Sequence, residues 1–130
     1  MVLHLLDNLP ASLTGDATLV DGAAYLKPGD TVSFTADMGS TGANSFLIGF
    51  LGDKYASGGT YLLEVGGHSY EMNLKSQAAT TDKVNIYPML AKTVTNNVAN
   101  FKTYTGTQTV TITCTSGGGL GFTSILPRLW

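Results

Sequence analysis

Apolar and polar residues alternate with a period of two along most of this chain, the spacing that sends successive side chains to opposite faces of a β-strand. The clearest stretch is Thr107–Thr115, TQTVTITCT, with Val110, Ile112 and Cys114 on one face and Thr109, Thr111 and Thr113 on the other. Thr31–Asp37 (TVSFTAD) repeats the pattern with Val32, Phe34 and Ala36 inward. Val84–Leu90 contains Pro88, which predicts an edge strand or a bulge because proline has no N–H to give a ladder. No window long enough for a stable helix avoids Gly, Pro or a run of β-branched residues.

The segment Thr60–Leu74, TYLLEVGGHSYEMNL, predicts a hairpin with Gly66 and Gly67 as its two loop residues, since tight hairpin turns need positive φ. That register sets Val65 opposite His68, Leu63 opposite Tyr70 and Tyr61 opposite Met72 on the core face. Leu62, Glu64, Ser69 and Glu71 fall on the other face. Further strands are expected near Val2–Leu6, Ala17–Val20, Ala23–Leu26, Phe46–Leu51, Val98–Tyr104 and Gly121–Leu126. Lys27-Pro28-Gly29-Asp30 forms a turn between two of them. Gly39–Ser45 and Gln77–Asp82 are the long loops, and Gly117-Gly118-Gly119 is a turn before the last strand. Roughly nine or ten short strands with turns between them predict an all-β fold, an antiparallel β-sandwich of jelly-roll type, as one domain over residues 1–130.

Composition narrows the mode of action. Of 130 residues 43% are hydrophobic but only 12% charged, about half the usual charged share, and Thr, Ser, Asn and Gly take the place of charge. A neutral hydrogen-bonding surface suits sugar-binding modules and subunits packed against copies of themselves, because little charge is desolvated on contact. The net charge is −2 and the basic residues are scattered singly from Lys27 to Arg128, so no patch is expected to neutralise phosphates and no nucleic-acid partner is expected. The apolar stretch Phe46–Leu51 is too short for membrane insertion. The start Met1-Val2-Leu3-His4 lacks the basic region of an export signal. The single cysteine, Cys114, has no partner for an internal disulfide.

Candidate chemistry is sparse. Glu64 and Glu71, the only glutamates, are diagonal neighbours in the hairpin register. A glycosidase carboxylate pair is the one reading of them and two solvated acids the other, and the glutamate-x-aspartate-x-x-glutamate pattern of sandwich glucanases is missing. His4 and His68 are too few and too far apart to announce a metal site. Asp7, Asp16 and Asp21 around the first turns lack the regular spacing of calcium ligands. No cofactor, metal or catalytic residue is therefore expected. Cys114 lies on the inward side of its strand, where a thiol behaves as a small hydrophobe.

Exposed aromatics flanked by polar groups grip sugar rings by stacking on their C–H faces. Tyr55, Tyr87 and Tyr104, with His68, are the candidates for a ligand-facing patch, and burial in the core rim is the other reading of each. The end Leu126-Pro127-Arg128-Leu129-Trp130 is unusually apolar. Trp130 either caps the core or docks on a neighbouring subunit, and Arg128, Leu129 and Trp130 are the candidates for an oligomer contact.

Two resemblances bear on function. Thr105–Leu129, TGTQTVTITCTSGGGLGFTSILPRL, resembles the closing strands of jelly-roll carbohydrate-binding modules and galactose-binding-like domains, and GDTVSFTADM with GTYLLEVGG resembles the middle of those modules and of lectin-like sandwiches. This likeness implies a fold and, by analogy, a glycan ligand. In composition the chain is also similar to small structural proteins of tailed bacteriophages. The expected function is a non-enzymatic surface or assembly module, with a virion structural role (capsid decoration, or tail or fibre attachment) first and a carbohydrate-binding or lectin-like module second. A glycoside hydrolase is the remote third. The expected partners are copies of itself, other virion proteins or a cell-surface glycan. The expected location is the virion surface, or outside the cell on the second reading.

Overall fold

The computed structural model describes residues 4–5, 14–15, 18–20, 23–52, 59–74, 85–117 and 120–129, the first three segments by their backbone pairing. The described residues form thirteen strands and no helix: β1 (His4–Leu5), β2 (Thr14–Gly15), β3 (Thr18–Val20), β4 (Ala23–Tyr25), β5 (Thr31–Asp37), β6 (Ser45–Gly52), β7 (Gly59–Val65), β8 (His68–Asn73), β9 (Asn85–Leu90), β10 (Lys92–Thr95), β11 (Val98–Phe101), β12 (Thr107–Gly117) and β13 (Leu120–Arg128). One sheet runs β3-β4-β13-β6-β9 with β1 also on β13, and the second runs β2-β5-β12-β7-β8. Every pairing is antiparallel. This is the jelly-roll β-sandwich the alternation predicts.

The inward sets interlock as one core. The first sheet contributes Phe46, Ile48, Phe50, Phe122 and Ile125, and the second Val32, Phe34, Tyr61, Leu63, Met72, Val110, Ile112 and Cys114. Tyr61 and Phe122 meet across the sheets edge-to-face, ring centroids 4.9 Å apart and planes at 85°. The Cys114 thiol is fully buried, and burial pushes its pKa up. That makes it a poor nucleophile.

The outer face of the second sheet explains the low charge. β12 lies between β5 and β7 in a register that sets Thr111 between Ser33 and Glu64, and Thr113 between Thr31 and Leu62. Hydroxyls there bond across strands, Ser33 Oγ to Thr111 Oγ1 at 2.8 Å and Thr60 Oγ1 to Thr115 Oγ1 at 2.7 Å. Neutral side chains thus satisfy one another where charged ones would have to be solvated.

The β7–β8 hairpin has the expected register, Val65↔His68, Leu63↔Tyr70 and Tyr61↔Met72, with Gly66 and Gly67 at φ 57° and 79°. Pro88 lies on β9, an edge strand. Three expectations change. The stretch read as one strand from Val98 to Tyr104 ends at Phe101 and is the second arm of a separate hairpin, β10–β11, and β10 is a strand that alternation did not single out. The last strand extends past Leu126 to Arg128, with Pro127 opposite Phe46 and Arg128 opposite Ser45. The expected loop at residues 77–82 and Gly118-Gly119 lie outside the described residues.

Candidate functional site

Two strands close the sheets on the same side of the sandwich, β8 at the end of one and β9 at the end of the other. Between them opens a cleft of about 400 Å³, lined by Ser69, Tyr70 and Glu71 from β8, by Tyr87, Pro88, Met89 and Leu90 from β9, and by Lys92 from β10. Its size falls in the range of small-ligand sites.

Strand parity builds it. On β9, Tyr87 pairs with Ile48 and Met89 with Phe46, so both point inward and pack against the core while remaining partly exposed at the open edge. Neighbouring Pro88 and Leu90 point outward. On β8, Tyr70 turns inward, while Ser69 and Glu71 stand on the outer face. The result is an aromatic and thioether floor, with a hydroxyl, a carboxylate and an ammonium around it.

The wall is held from behind. Tyr70 donates or accepts a hydrogen bond of 2.6 Å with the Tyr104 hydroxyl, in a buried setting. Tyr104 is itself pinned by backbone bonds with Ala43 in both directions, each 2.8 Å, and its ring lies over Gly66, where an added Cβ would sit 2.5 Å from Tyr104 Cε1. Burial, and then the bond to Tyr70, push the Tyr104 pKa well above the usual tyrosine range. Tyr104→Phe leaves the Tyr70 hydroxyl buried without this partner. A loss of about 1–3 kcal/mol is expected, read by urea denaturation, with an unchanged midpoint as the contrary result.

Of the four residues picked from the sequence as ligand-facing, the structure places Tyr87 in the cleft. Tyr104 is a correction: it is 8% exposed and supports the wall through Tyr70, because a strand end next to a glycine turn left room for its ring to fold in. His68 is half-buried at the start of β8, opposite Val65, and does not line the cleft. Tyr55 lies outside the described residues. Lys92 and Ser69 were not singled out in the sequence. The signal for them was register, since Ser69 sits beside Tyr70 on an edge strand.

Glu64 and Glu71 share a face as expected, Glu64 opposite Ser69 and Glu71 opposite Leu62, but only Glu71 borders the cleft. Among the described residues no second carboxylate joins Glu71 at this space. Among the described residues no three His, Cys, Asp or Glu side chains gather as a metal site would require, and Asp7, Asp16 and Asp21 lie outside them. At the chain end, Arg128 is half-buried and paired with Ser45. Its carbonyl accepts bonds from Asn44 N and Ser45 Oγ, both 3.1 Å. Leu129 is 55% exposed, and Trp130 lies outside the described residues.

No protein-family model matches the sequence, and no curated protein sequence matches it significantly. Solved structures do match in fold. A carbohydrate-binding module of family CBM36, solved in complex with calcium and xylotriose, superposes with a TM-score of 0.63 at 15% identity over 98% of this chain and 100% of that one. Xyl-CBM35, in complex with a glucuronic-acid-containing disaccharide, gives 0.66 at 13% identity over 98% and 93%. CBM35 of Abf62 from Cellvibrio japonicus gives 0.65 at 14% over the same shares. The fold is thus that of non-catalytic carbohydrate-binding modules, matched end to end. At these identities the likeness establishes the fold, the jelly-roll sandwich whose closing strands Thr105–Leu129 resemble.

Proposed function

We propose that the chain is a non-catalytic carbohydrate-binding module that holds an oligosaccharide in the cleft between β8 and β9. The observation that carries this reading is the cleft itself, in which the part-exposed ring of Tyr87 lies within a rim of Ser69, Glu71 and Lys92. A sugar ring offers an apolar C–H face to such a floor and hydroxyls to such a rim. Ser69 and Lys92 supply donors and Glu71 an acceptor. Lys92 would also pair with the carboxylate of a uronic-acid residue. The end-to-end match in fold with carbohydrate-binding modules supports the reading. A place beside a catalytic domain is consistent with the match to about a quarter of the length of two larger glycoside hydrolases, 26% and 27% of those chains.

Titration calorimetry with xylotriose, cellobiose and a glucuronic-acid-containing disaccharide tests it. Saturable binding to at least one is expected. Tyr87→Ala is expected to weaken that binding about 5- to 150-fold, the loss of one stacked ring at about 1–3 kcal/mol, measured at a temperature where circular dichroism shows the variant folded, because the ring also packs against the core. Lys92→Ala is expected to weaken the uronic-acid ligand selectively. Silence across such a panel would count against the whole reading. Binding that Tyr87→Ala leaves intact would keep the class and move the site away from this cleft.

A further inference from the structure

The described residues expose six large hydrophobic side chains, and five of them, Ile86, Leu90, Val94, Val98 and Phe101, fall in the single stretch 86–101. That stretch carries one charge, Lys92. Its second half is the β10–β11 hairpin, which pairs with no other described strand and has all four β11 residues exposed. A lone two-stranded ribbon is marginal in water, and apolar side chains concentrated on one mark a contact surface.

The hydrogen bonding of the hairpin shows which groups are free. Asn96 and Asn97 have φ of 52° and 65°, the signature of a two-residue type I′ turn, so the flanking pair Thr95↔Val98 exchanges bonds. Such pairs then alternate, through Thr93↔Asn100, to Ala91 and Lys102, where Lys102 N donates to Ala91 O at 2.9 Å. Ala99 and Phe101 therefore turn their N–H and C=O groups away from β10, toward an edge that no described strand covers.

We propose that β11 is a dimerisation edge, at which a second copy of this chain adds its own β11 antiparallel to form a four-stranded sheet. β11 has no charged residue, so self-pairing sets no like charges opposite one another, whereas the free edge of β10 includes Lys92. With Asn100 opposite the partner's Asn100, Ala99 meets the partner's Phe101 and Phe101 the partner's Ala99, both in hydrogen-bonded positions. All four free donors and four free acceptors of the two edges lie in that register, as a two-fold axis normal to the sheet requires. Phe101, Ala99 and Val94 share one face of each hairpin with Lys92, which lies opposite Phe101 on the strand away from the partner, so each Phe101 ring packs beside the partner's small Ala99 while the two ammonium groups stay on the outer strands of the four-stranded sheet. The contact assigned from the sequence to Arg128, Leu129 and Trp130 thereby moves to β11, independently of what the cleft binds.

An edge pairing of this size lies at the small end of specific interfaces, so association in the micromolar range is expected. Sedimentation equilibrium of the full chain, over about 5–500 µM, tests it on the scale set by such weak interfaces. The weight-average mass is expected to rise from the 13.6 kDa of one chain toward twice that value. Ala99→Pro removes the outward N–H without touching a bond inside the hairpin, and Phe101→Glu sets two carboxylates diagonally across the seam while facing Lys92 within its own hairpin. Each is expected to hold the protein at the monomer mass, with circular dichroism as in the parent. A parent that stays monomeric throughout overturns the proposal. So does a dimer that persists in both variants, or one that survives Ala99→Pro but is lost on ending the chain at Pro127.

Discussion

Phe122→Ala is expected to cost about 3–5 kcal/mol, the range for emptying a fully buried aromatic site, which is a large part of the 5–15 kcal/mol that a domain of this size has in total. Phe122 has no exposed surface. It faces Phe50 across one strand pair and Ala24 across the other, and it meets Tyr61 of the opposite sheet edge-to-face. It therefore joins both sheets and four strands at one point. The site is also poorly able to collapse. A register shift between Phe122 and Ser124 interrupts the β13–β6 ladder, and the Tyr61 ring on the other side is fully buried, so neither neighbour can slide into the void without breaking pairing. The melting temperature is expected to fall by on the order of 10–15 °C. Phe122→Leu, which keeps most of the volume, should cost less than half as much. A loss under about 1.5 kcal/mol for the alanine variant would mean that the two sheets do not depend on this contact.

Much of this architecture was legible in the chain because alternation is a local signal and the sheets are wet on one side. Thr107–Thr115 and Thr31–Asp37 announce their faces, and Gly66-Gly67 sets the register of β7 against β8 before any tertiary contact is known. The β10–β11 hairpin was less visible for a physical reason. Its residues Thr93, Val94, Val98 and Ala99 are exposed or half-exposed on both faces, so no inward set marks the strands. Its turn uses Asn96-Asn97, which tolerate positive φ less conspicuously than glycine does. The cleft was legible only in part. Tyr87 stood out as an aromatic near a strand end, but that it shares a cleft with Tyr70 depends on β8 and β9 ending their sheets on the same side, which is topology. Tyr104 shows the limit of reading exposure from a position near a loop. The glycine at 66 makes room for its ring, and the hydroxyl of Tyr70, 34 positions away, holds it. Exposed apolar surface among the described residues collects at 86–101, with Leu129 near the chain end as the sixth exposed side chain, and alternation alone did not mark the first of these regions.

The second large effect is expected at Gly121, where the smallest possible insertion should unseat an edge of the first sheet. Gly121 lies opposite Tyr25 in the β13–β4 register. A Cβ added there would stand 2.6 Å from Tyr25 Cζ, 2.7 Å from Ala23 Cβ and 2.8 Å from Tyr25 Cε1. These obstacles differ in kind. The Tyr25 ring ends a half-exposed side chain and can swing toward water, at the cost of its packing. Ala23 Cβ is fixed to the backbone of β4 and is fully buried, so relieving it means moving the strand. β3 joins the sheet through β4, and displacing β4 loosens both. Gly121→Ala is therefore expected to cost about 2–3 kcal/mol, in the upper part of the range for overpacking, read from the urea midpoint at unchanged slope. A double-mutant cycle separates the two obstacles. Adding Ala23→Gly to Gly121→Ala should recover more than half of the loss, because it removes the contact that cannot yield, while adding Tyr25→Ala should recover less. If Gly121→Ala lies within about 0.5 kcal/mol of the parent, the ordinary range for a surface substitution, β4 has enough play to accept a methyl group and the close packing of β13 on β4 is not what holds that edge.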